Sequence, residues 1–221
     1  MLKILILVFL FASIEAQEIN SFAKAKKALI GFYTQHPQYQ SDFYCNAPFK
    51  KAENHFEVMP SRFYKSRKQT NKAKVIEWEH IMPSYNFGRH LPCWKNGGRS
   101  ACKKDSTFKK MEADLQNLVP AIDEINRDRS NFRYAQAPKN MRFIQYGNCN
   151  VFTDFKVKRF YPADYSKGWI ARSYLYMSKT YKIKLSNQEK KLMEAWDKTF
   201  PMSQREKDFR EFACKINAGK P

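Results

Sequence analysis

The first residues of the chain decide the environment in which it folds, and this constrains the fold more than any other feature. Lys3 is followed by nine apolar residues at 4–12, and Ala16 with Gln17 fits a small-residue cleavage site. This order is typical of a secretory signal peptide. A membrane anchor is the weaker interpretation, because a spanning helix needs about 20 apolar residues. We predict a signal peptide at 1–16 and a periplasmic or secreted domain at 17–221.

The cysteines gain a meaning from this export. They lie at five positions: Cys45, Cys93, Cys102, Cys149 and Cys214. In an oxidising compartment disulfides are the default, and an odd count leaves at least one thiol unpaired. No Cys-x-x-Cys spacing is present, which argues against a zinc knuckle or a thioredoxin-like motif. Cys93 and Cys102 flank a glycine pair, so a local bridge between them is one option.

Composition and charge indicate a globular protein with a polyanionic partner. Among the 221 residues, 43% are hydrophobic and 15% aromatic, which is ample for a core and excludes disorder over most of the length. Lys and Arg number 40 against 21 Asp and Glu, a net charge of +19. Such an excess favours nucleic acid as partner, ahead of an anionic membrane surface. No later segment reaches transmembrane length, and we expect a monomer without a membrane span.

Hydrophobic periodicity predicts a mixture of helices and short strands. Helical spacing occurs over 22–33, 111–118, 121–129 and 170–175, with Pro120 expected to break the second helix. Strand patterns occur over 56–59, 75–79, 141–146 and 152–160. Capping boxes, Ser186 with Glu189 and Ser203 with Glu206, predict two C-terminal helices. The predicted fold class is α+β with irregular, disulfide-tied connections.

A basic stretch lies between residues 61 and 74. It contains two aromatic residues, no acidic residue and six cations: Arg62, Lys65, Arg67, Lys68, Lys72 and Lys74. A solvated basic loop would have the same composition. Because the whole chain is strongly basic, we favour a surface that faces nucleic-acid phosphates. These six cations are called the basic stripe below.

An acidic and an imidazole side chain are neighbours at the end of a predicted strand. Glu79 and His80 lie within EWEHIMP at 77–83. In a regular strand they would point to opposite faces, so they serve one site only if the strand ends there, as Pro83 permits. A carboxylate suits Mg²⁺, and a neutral histidine suits removal of a proton from water. Alone, such a pair is more often structural.

Further polar residues lie in the same part of the chain. Arg99 follows two glycines, and an arginine on such a loop approaches a phosphate closely and stabilises its negative charge. One more solvated cation is the alternative. Asn126 offers a neutral carbonyl oxygen as a second metal ligand, and a helix-surface amide or a cap is the alternative. Glu112 and Asp114 are candidates for outer partners of the site or for a solvated helix face.

The ordered blocks of the chain resemble the bacterial endonuclease I family of periplasmic and secreted nonspecific nucleases. The blocks cover nearly the whole exported part: EWEHIMP at 77–83, GGR at 97–99, MEADL at 111–115, EIN at 124–126, RSN at 129–131, YGNC at 146–149, IARSY at 170–174 and AWDK at 195–198. Several blocks in order are far more specific than any one of them.

The resemblance implies a ββα-metal (His-Me finger) nuclease core with additional helices and one Mg²⁺. In the family, the residues matching Glu79 and Asn126 hold the metal, the residue matching His80 is the general base, and the residue matching Arg99 contacts the phosphate. The expected reaction is hydrolysis of internal phosphodiester bonds in DNA, with RNA as a second substrate. The products would carry 5′-phosphate ends.

The cysteines depart from the family pattern. Ala47 stands where the family commonly has a cysteine, and two further family cysteines fall near Arg62 and Glu206. If Ala47 and Arg62 replace the two partners of one bridge, both cysteines of that bridge are absent and no unpaired thiol results from their loss. The resemblance then implies Cys45–Cys149 and Cys93–Cys102 bridges with Cys214 unpaired.

Two other classes of function compete with the nuclease. A noncatalytic exported polyanion binder fits the net charge and the aromatic residues equally well. The joint presence of Glu79, His80, Arg99 and Asn126 favours the enzyme, because a binder would not require them. A secreted metalloprotease is weaker, since the chain lacks the His-Glu-x-x-His zinc helix.

Overall fold

The computed structural model describes residues 19–217, so the predicted signal peptide at 1–16 lies outside the described residues. The helices are α1 Phe22–Gln35, α2 Ser84–Gly88, α3 Pro92–Lys95, α4 Gly98–Cys102, α5 Ser106–Glu112, α6 Asp123–Arg129, α7 Asp164–Tyr181, α8 Asn187–Thr199 and α9 Gln204–Asn217. The strands are β1 Phe49–Lys51, β2 Phe56–Val58, β3 Ile76–His80, β4 Leu118–Ile122, β5 Arg133–Tyr134, β6 Phe152–Asp154 and β7 Arg159–Tyr161. Helices and small sheets together agree with the predicted α+β class.

The strands form small, separate sheets. β1 pairs antiparallel with β2, and β3 pairs antiparallel with β4, placing Glu79 opposite Val119 and His80 opposite Leu118. In the third sheet β7 is central, parallel to β5 and antiparallel to β6. Buried apolar side chains from α1 through α9 form one cluster around these sheets. Within residues 19–217, no helix is long and apolar enough to cross a membrane.

The β3–β4 pair and α6 form the unit that positions the candidate site. All five residues of β4 are buried, and α6 begins directly after it. The helix predicted over 111–118 is therefore wrong over most of its length, because α5 ends at Glu112, Leu115–Asn117 form a short 3-10 helix and Leu118 begins a strand. A short apolar run fits a buried strand as well as a helix. Pro120 is tolerated opposite Trp78 because its missing N–H faces away from β3, on the side where its carbonyl accepts from the Phe43 N–H.

Two predicted strands differ in the structure. Residues 141–146 are not a strand, because the Gln145 side chain replaces backbone pairing: its amide donates to the Thr153 carbonyl and accepts from the Thr153 N–H. Residues 152–160 form β6, a turn and the start of β7. The Asp154 carboxylate accepts from the next turn's N–H groups. Phe155 consequently lies 46% exposed instead of in a strand.

The predicted helix starts hold, with one of the two capping boxes only half formed. Ser21 caps α1, which buries Leu29 and Phe32 and ends before Pro37. The capping box of Ser186 with Glu189 is fully formed. In the second box Ser203 accepts from the Glu206 N–H, but the Glu206 carboxylate pairs with Arg172 and Arg210 instead.

The disulfides connect distant and local parts of the chain. Cys45 is bonded to Cys149, 104 residues away, and Cys93 to Cys102, nine residues away. Cys214 is free and exposed. The pairing implied by the family resemblance is confirmed.

Candidate active site

The candidate site is built at the end of β3. Glu79 and His80 are its last two residues and are only 4% and 8% exposed. Glu79 contacts Tyr44 and α6, whereas His80 contacts the end of α5 and the first residue of α1. The two side chains therefore leave the strand toward different neighbours, as strand geometry requires.

Arg129 of α6 fixes the end of β3. Its Nη1 donates to Glu79 Oε1 at 2.7 Å and to the His80 carbonyl at 3.0 Å. Its Nη2 donates to the Ile81 carbonyl at 2.6 Å, and the guanidinium lies 4.5 Å from the Tyr134 ring centre. Arg129 is completely buried. One cation thus holds the carboxylate and turns the backbone after His80.

The Glu79 carboxylate is held on one oxygen. Tyr44 Oη donates to Oε1 at 3.0 Å, the same atom that accepts from Arg129. Oε2 accepts from neither group. Burial raises the pKa of Glu79 to about 7, although the charge of Arg129 acts in the opposite direction. A further cation beside this carboxylate would favour its ionised form.

The hydrogen bond of His80 defines its tautomer. Nε2 lies 2.8 Å from the Glu112 carbonyl oxygen, which only accepts, so Nε2 carries the proton. Burial lowers the pKa of His80 to about 4, and the imidazole is neutral near pH 7. Nδ1 is therefore unprotonated and has its lone pair available.

Glu112 and Phe22 connect His80 to Arg99. Arg99 Nε donates to Glu112 Oε1 at 2.7 Å, while the Glu112 carbonyl holds His80. The Phe22 ring centre lies 5.0 Å from that of His80, and the Arg99 guanidinium lies 5.6 Å from it. The structure thus brings Glu79, His80 and Arg99 into one region. Asp114 instead accepts from Tyr176 and Tyr181 and lies outside this arrangement.

Asn126 lies on α6, three residues before Arg129. Residues at this spacing share a helix face one turn apart, and Arg129 shows that this face turns toward Glu79. Asn126 is half-buried, and within residues 19–217 its side chain makes no hydrogen bond. Asn126 is thus a candidate second ligand on the basis of its place along α6.

The residues present fit a hard divalent cation. Carboxylate and amide oxygens are ligands that Mg²⁺ accepts, and Mg²⁺ keeps several waters when few protein groups bind it. No group of three or more His, Cys, Asp and Glu side chains suited to a metal occurs in the described part of the chain. A carboxylate with an amide oxygen, as Glu79 and Asn126 would offer, fits Mg²⁺, whereas structural zinc sites are built mainly from Cys and His.

A cavity of about 570 Å³ opens beside Arg99. Its charged and aromatic lining comes from α1, α4, α5 and the turn after α4: Phe22, Lys26, Arg99, Lys103, Lys109 and Glu112. These residues are called the cation cavity. Four of them are basic and one is acidic, although they come from distant parts of the chain.

The basic stripe contacts a different part of the molecule. Arg67 Nη2 and Lys68 Nζ lie 2.8 Å and 2.6 Å from the Asp128 carboxylate of α6. Burial opposes ionisation of Asp128, but hydrogen bonds from Lys68, Arg67 and Tyr146 hold its pKa below the usual value. The Tyr64 hydroxyl and the Lys68 N–H donate to Glu124, also on α6. All six stripe cations are exposed, but two are already paired.

Comparison with known proteins identifies the family. The sequence profile of endonuclease I matches residues 10–219. The chain belongs to the endonuclease I family. A periplasmic deoxyribonuclease of Aeromonas hydrophila is 43% identical over 190 residues, covering 85% of this chain and 78% of that protein. Endonuclease-1 of Buchnera aphidicola (subsp. Acyrthosiphon pisum) is 42% identical over 205 residues, covering 90% and 80%. An extracellular deoxyribonuclease of Aeromonas hydrophila is 39% identical over 203 residues, covering 91% and 86%.

The family membership confirms the resemblance found in the sequence. The names of the relatives also agree with the predicted periplasmic or secreted location. Sequence reasoning missed Arg129, Tyr44 and Phe22 as parts of this candidate site. Arg129 and Phe22 lie in or beside ordinary helical patterns, and nothing in the local sequence of Tyr44 points to a carboxylate 35 residues away.

Proposed function

We propose that this protein is an exported endonuclease that hydrolyses internal phosphodiester bonds of DNA, with RNA as a second substrate. Membership of the endonuclease I family and the nuclease names of its relatives support this proposal. The net charge of +19 supports binding through phosphates with little dependence on base sequence. We further propose that residues 17–221 act as a single-domain monomer, which gel filtration tests.

The observation that carries the proposal is the state of His80. A neutral imidazole whose Nε2–H is fixed on a carbonyl presents Nδ1 as a base. In the proposed reaction, Nδ1 accepts a proton from the water that attacks the phosphorus. The antiparallel β3–β4 pair followed by α6, with this histidine at the strand end, supports a ββα-metal core.

Glu79 and Asn126 are the proposed ligands of one Mg²⁺. When bound, this ion would neutralise charge on the scissile phosphate and on the departing 3′ oxygen. Arg129 and Tyr44 orient Glu79 through Oε1. Arg99, oriented by Glu112, contacts the phosphate and stabilises its developing charge. Cleavage of the bond to the 3′ oxygen leaves 5′-phosphate ends.

The basic stripe remains a proposed contact surface for nucleic acid. Lys65, Lys72 and Lys74 are exposed, and none is ion-paired to a carboxylate within residues 19–217. Arg62 stacks on Phe63 with its guanidinium 5.3 Å from the ring centre and is also exposed. Arg67 and Lys68 contribute less, because both are already ion-paired with Asp128.

A plasmid-nicking assay tests the function. Wild-type protein should nick supercoiled DNA with Mg²⁺ and lose this activity in EDTA. His80→Ala should lower the rate by about 10³-fold or more, while metal-free DNA binding persists. His55→Ala removes an exposed histidine directly before β2 and serves as the matched control. The products should accept a 5′ label from polynucleotide kinase only after phosphatase treatment.

The competing function is a noncatalytic DNA-binding protein. It predicts tight, salt-sensitive DNA binding with no nicking in Mg²⁺. Near wild-type nicking by His80→Ala would instead be compatible with a nuclease, but it would refute the assignment of His80 as the general base.

A further inference from the structure

The cation cavity has an unbalanced charge that the fold does not use. Its four cations face one carboxylate, Glu112, which is paired with Arg99. In the described part of the chain, the ammonium groups of Lys26, Lys103 and Lys109 have no ion-pair partner. Like charges gathered from three elements repel one another and do not stabilise the fold. The arrangement instead favours the binding of a polyanion.

The cavity is joined to the candidate active site. Arg99 and Glu112 belong to both, and the Glu112 backbone carbonyl holds His80. A strand whose scissile phosphate reaches Arg99 would therefore have its neighbouring phosphates beside the three lysines. The cavity volume of about 570 Å³ is in the range of sites that accept small ligands, about 300–1,000 Å³.

Phe22 gives the cavity an apolar wall next to the imidazole. Lys26 Nζ and the Arg99 guanidinium lie 5.3 Å and 5.6 Å from its ring centre. The same ring lies 5.0 Å from the His80 ring. Alternating cations and an apolar surface match the phosphates and sugars of a nucleic-acid strand.

We propose that the cation cavity, rather than the basic stripe, is the principal binding site for the sugar–phosphate backbone beside the cleaved bond. This inference rests on the proposed nuclease function for its position along the substrate. Lys26, Lys103 and Lys109 contact phosphates next to the scissile one, and Phe22 packs on the intervening sugar. Their contact with nucleic acid is independent of base sequence.

Three variants with equal charge loss test the proposal. The cavity variant is Lys26→Gln, Lys103→Gln and Lys109→Gln. The stripe variant is Lys65→Gln, Lys72→Gln and Lys74→Gln. The control variant is Lys184→Gln, Lys191→Gln and Lys198→Gln, which removes three exposed lysines outside both regions. Thermal unfolding by circular dichroism shows whether each variant folds. If the cavity variant does not fold, Lys103→Gln alone is used, since Lys103 is exposed.

Binding of a fluorescent DNA duplex is measured by anisotropy in EDTA, across a range of salt concentrations. Each lost phosphate contact should lower the slope of log K against log salt by about 0.9. We expect the cavity variant to lose about 2 to 3 in slope and about 10- to 100-fold in affinity relative to the control. The stripe variant should lose about 1 or less in slope.

The outcomes separate the two proposals. A cavity variant that binds like the control, or better than the stripe variant, overturns this inference even if the wild type nicks DNA. A wild type that binds through the cavity but never nicks DNA in Mg²⁺ overturns the proposed function and leaves the cavity as a polyanion site.

Discussion

The basic stripe and the cation cavity differ in what their cations already contact. In the stripe, six cations follow one another within 13 residues, and two of them are paired with Asp128. In the cavity, Lys26 lies on α1, whereas Lys103 and Lys109 lie after α4 and on α5, and no described carboxylate pairs with these lysines. Part of the dense run of charge in the sequence is thus already held in internal ion pairs, whereas the three cavity lysines are not.

This difference assigns the two regions different tasks. The stripe segment holds α6 through Glu124 and Asp128, and α6 carries Asn126 and Arg129. It therefore stabilises the helix that supplies a proposed metal ligand. The cavity leaves its lysines available for an incoming phosphate. The predictions below change one region and its counterpart in the same way.

The largest contrast concerns the two disulfides. Cys45–Cys149 encloses a long segment, and Cys149 lies three residues after Tyr146, whose carbonyl accepts from the Lys65 N–H. Cys93–Cys102 encloses a short segment that contains Arg99. Cys45→Ala with Cys149→Ala should lower the free energy of unfolding by about 5 kcal/mol, and Cys93→Ala with Cys102→Ala by about 3 kcal/mol. Urea denaturation measures both. At a temperature where both variants are folded, nicking should fall more in the second. The reverse order of activities would contradict the placement of Arg99 at the phosphate.

The second contrast compares two arginines. Arg99→Gln should lower kcat/KM for DNA cleavage by about 100-fold, mainly in kcat. The positive charge of Arg99 stabilises the negative charge that develops at the phosphate, and the variant lacks it. Arg67→Gln should lower it less than about threefold, since Asp128 already neutralises Arg67. Initial rates on a defined duplex over a range of substrate concentrations separate kcat from KM. Arg99→Lys should recover part of the loss. Equal effects of Arg99→Gln and Arg67→Gln on kcat/KM would contradict the assignment of Arg99, rather than Arg67, to the scissile phosphate.

The same contrast explains what the sequence could predict. The acid–imidazole pair and its likeness to endonuclease I led to Glu79 and His80 because adjacent residues need no knowledge of the fold. The implied disulfide pairs were also confirmed. Lys26, Lys103 and Lys109 were not found, because each looks like any other solvated lysine until α1 and α5 pack beside α4. Arg129 was missed for the same reason, since burial of a cation depends on tertiary contacts rather than on local pattern.

The third prediction concerns the ion pairs that Asp128 makes with the basic stripe. Asp128→Asn removes the charge that holds Arg67 and Lys68, and it leaves these cations beside a nearly buried amide. We expect a loss of about 2 kcal/mol in unfolding free energy. Metal-free DNA binding should not weaken, because the variant gains one positive charge. The Mg²⁺ concentration for half-maximal nicking should rise severalfold, since α6 carries Asn126. Unchanged stability in urea would show that the stripe does not anchor α6.

The smallest expected effect compares one aromatic residue from each region. Phe22 lies between His80 and the cavity lysines, whereas Phe63 stacks under Arg62 in the stripe. Phe22→Ala should lower kcat/KM about tenfold, mostly through KM, because the substrate sugar loses its apolar contact. Phe22→Leu should retain more activity than Phe22→Ala, and Phe63→Ala should change the rate less than about threefold. Steady-state cleavage of one short duplex compares the three variants. If Phe63→Ala raises KM more than Phe22→Ala does, the strand follows the stripe and the assignment of the two regions is reversed.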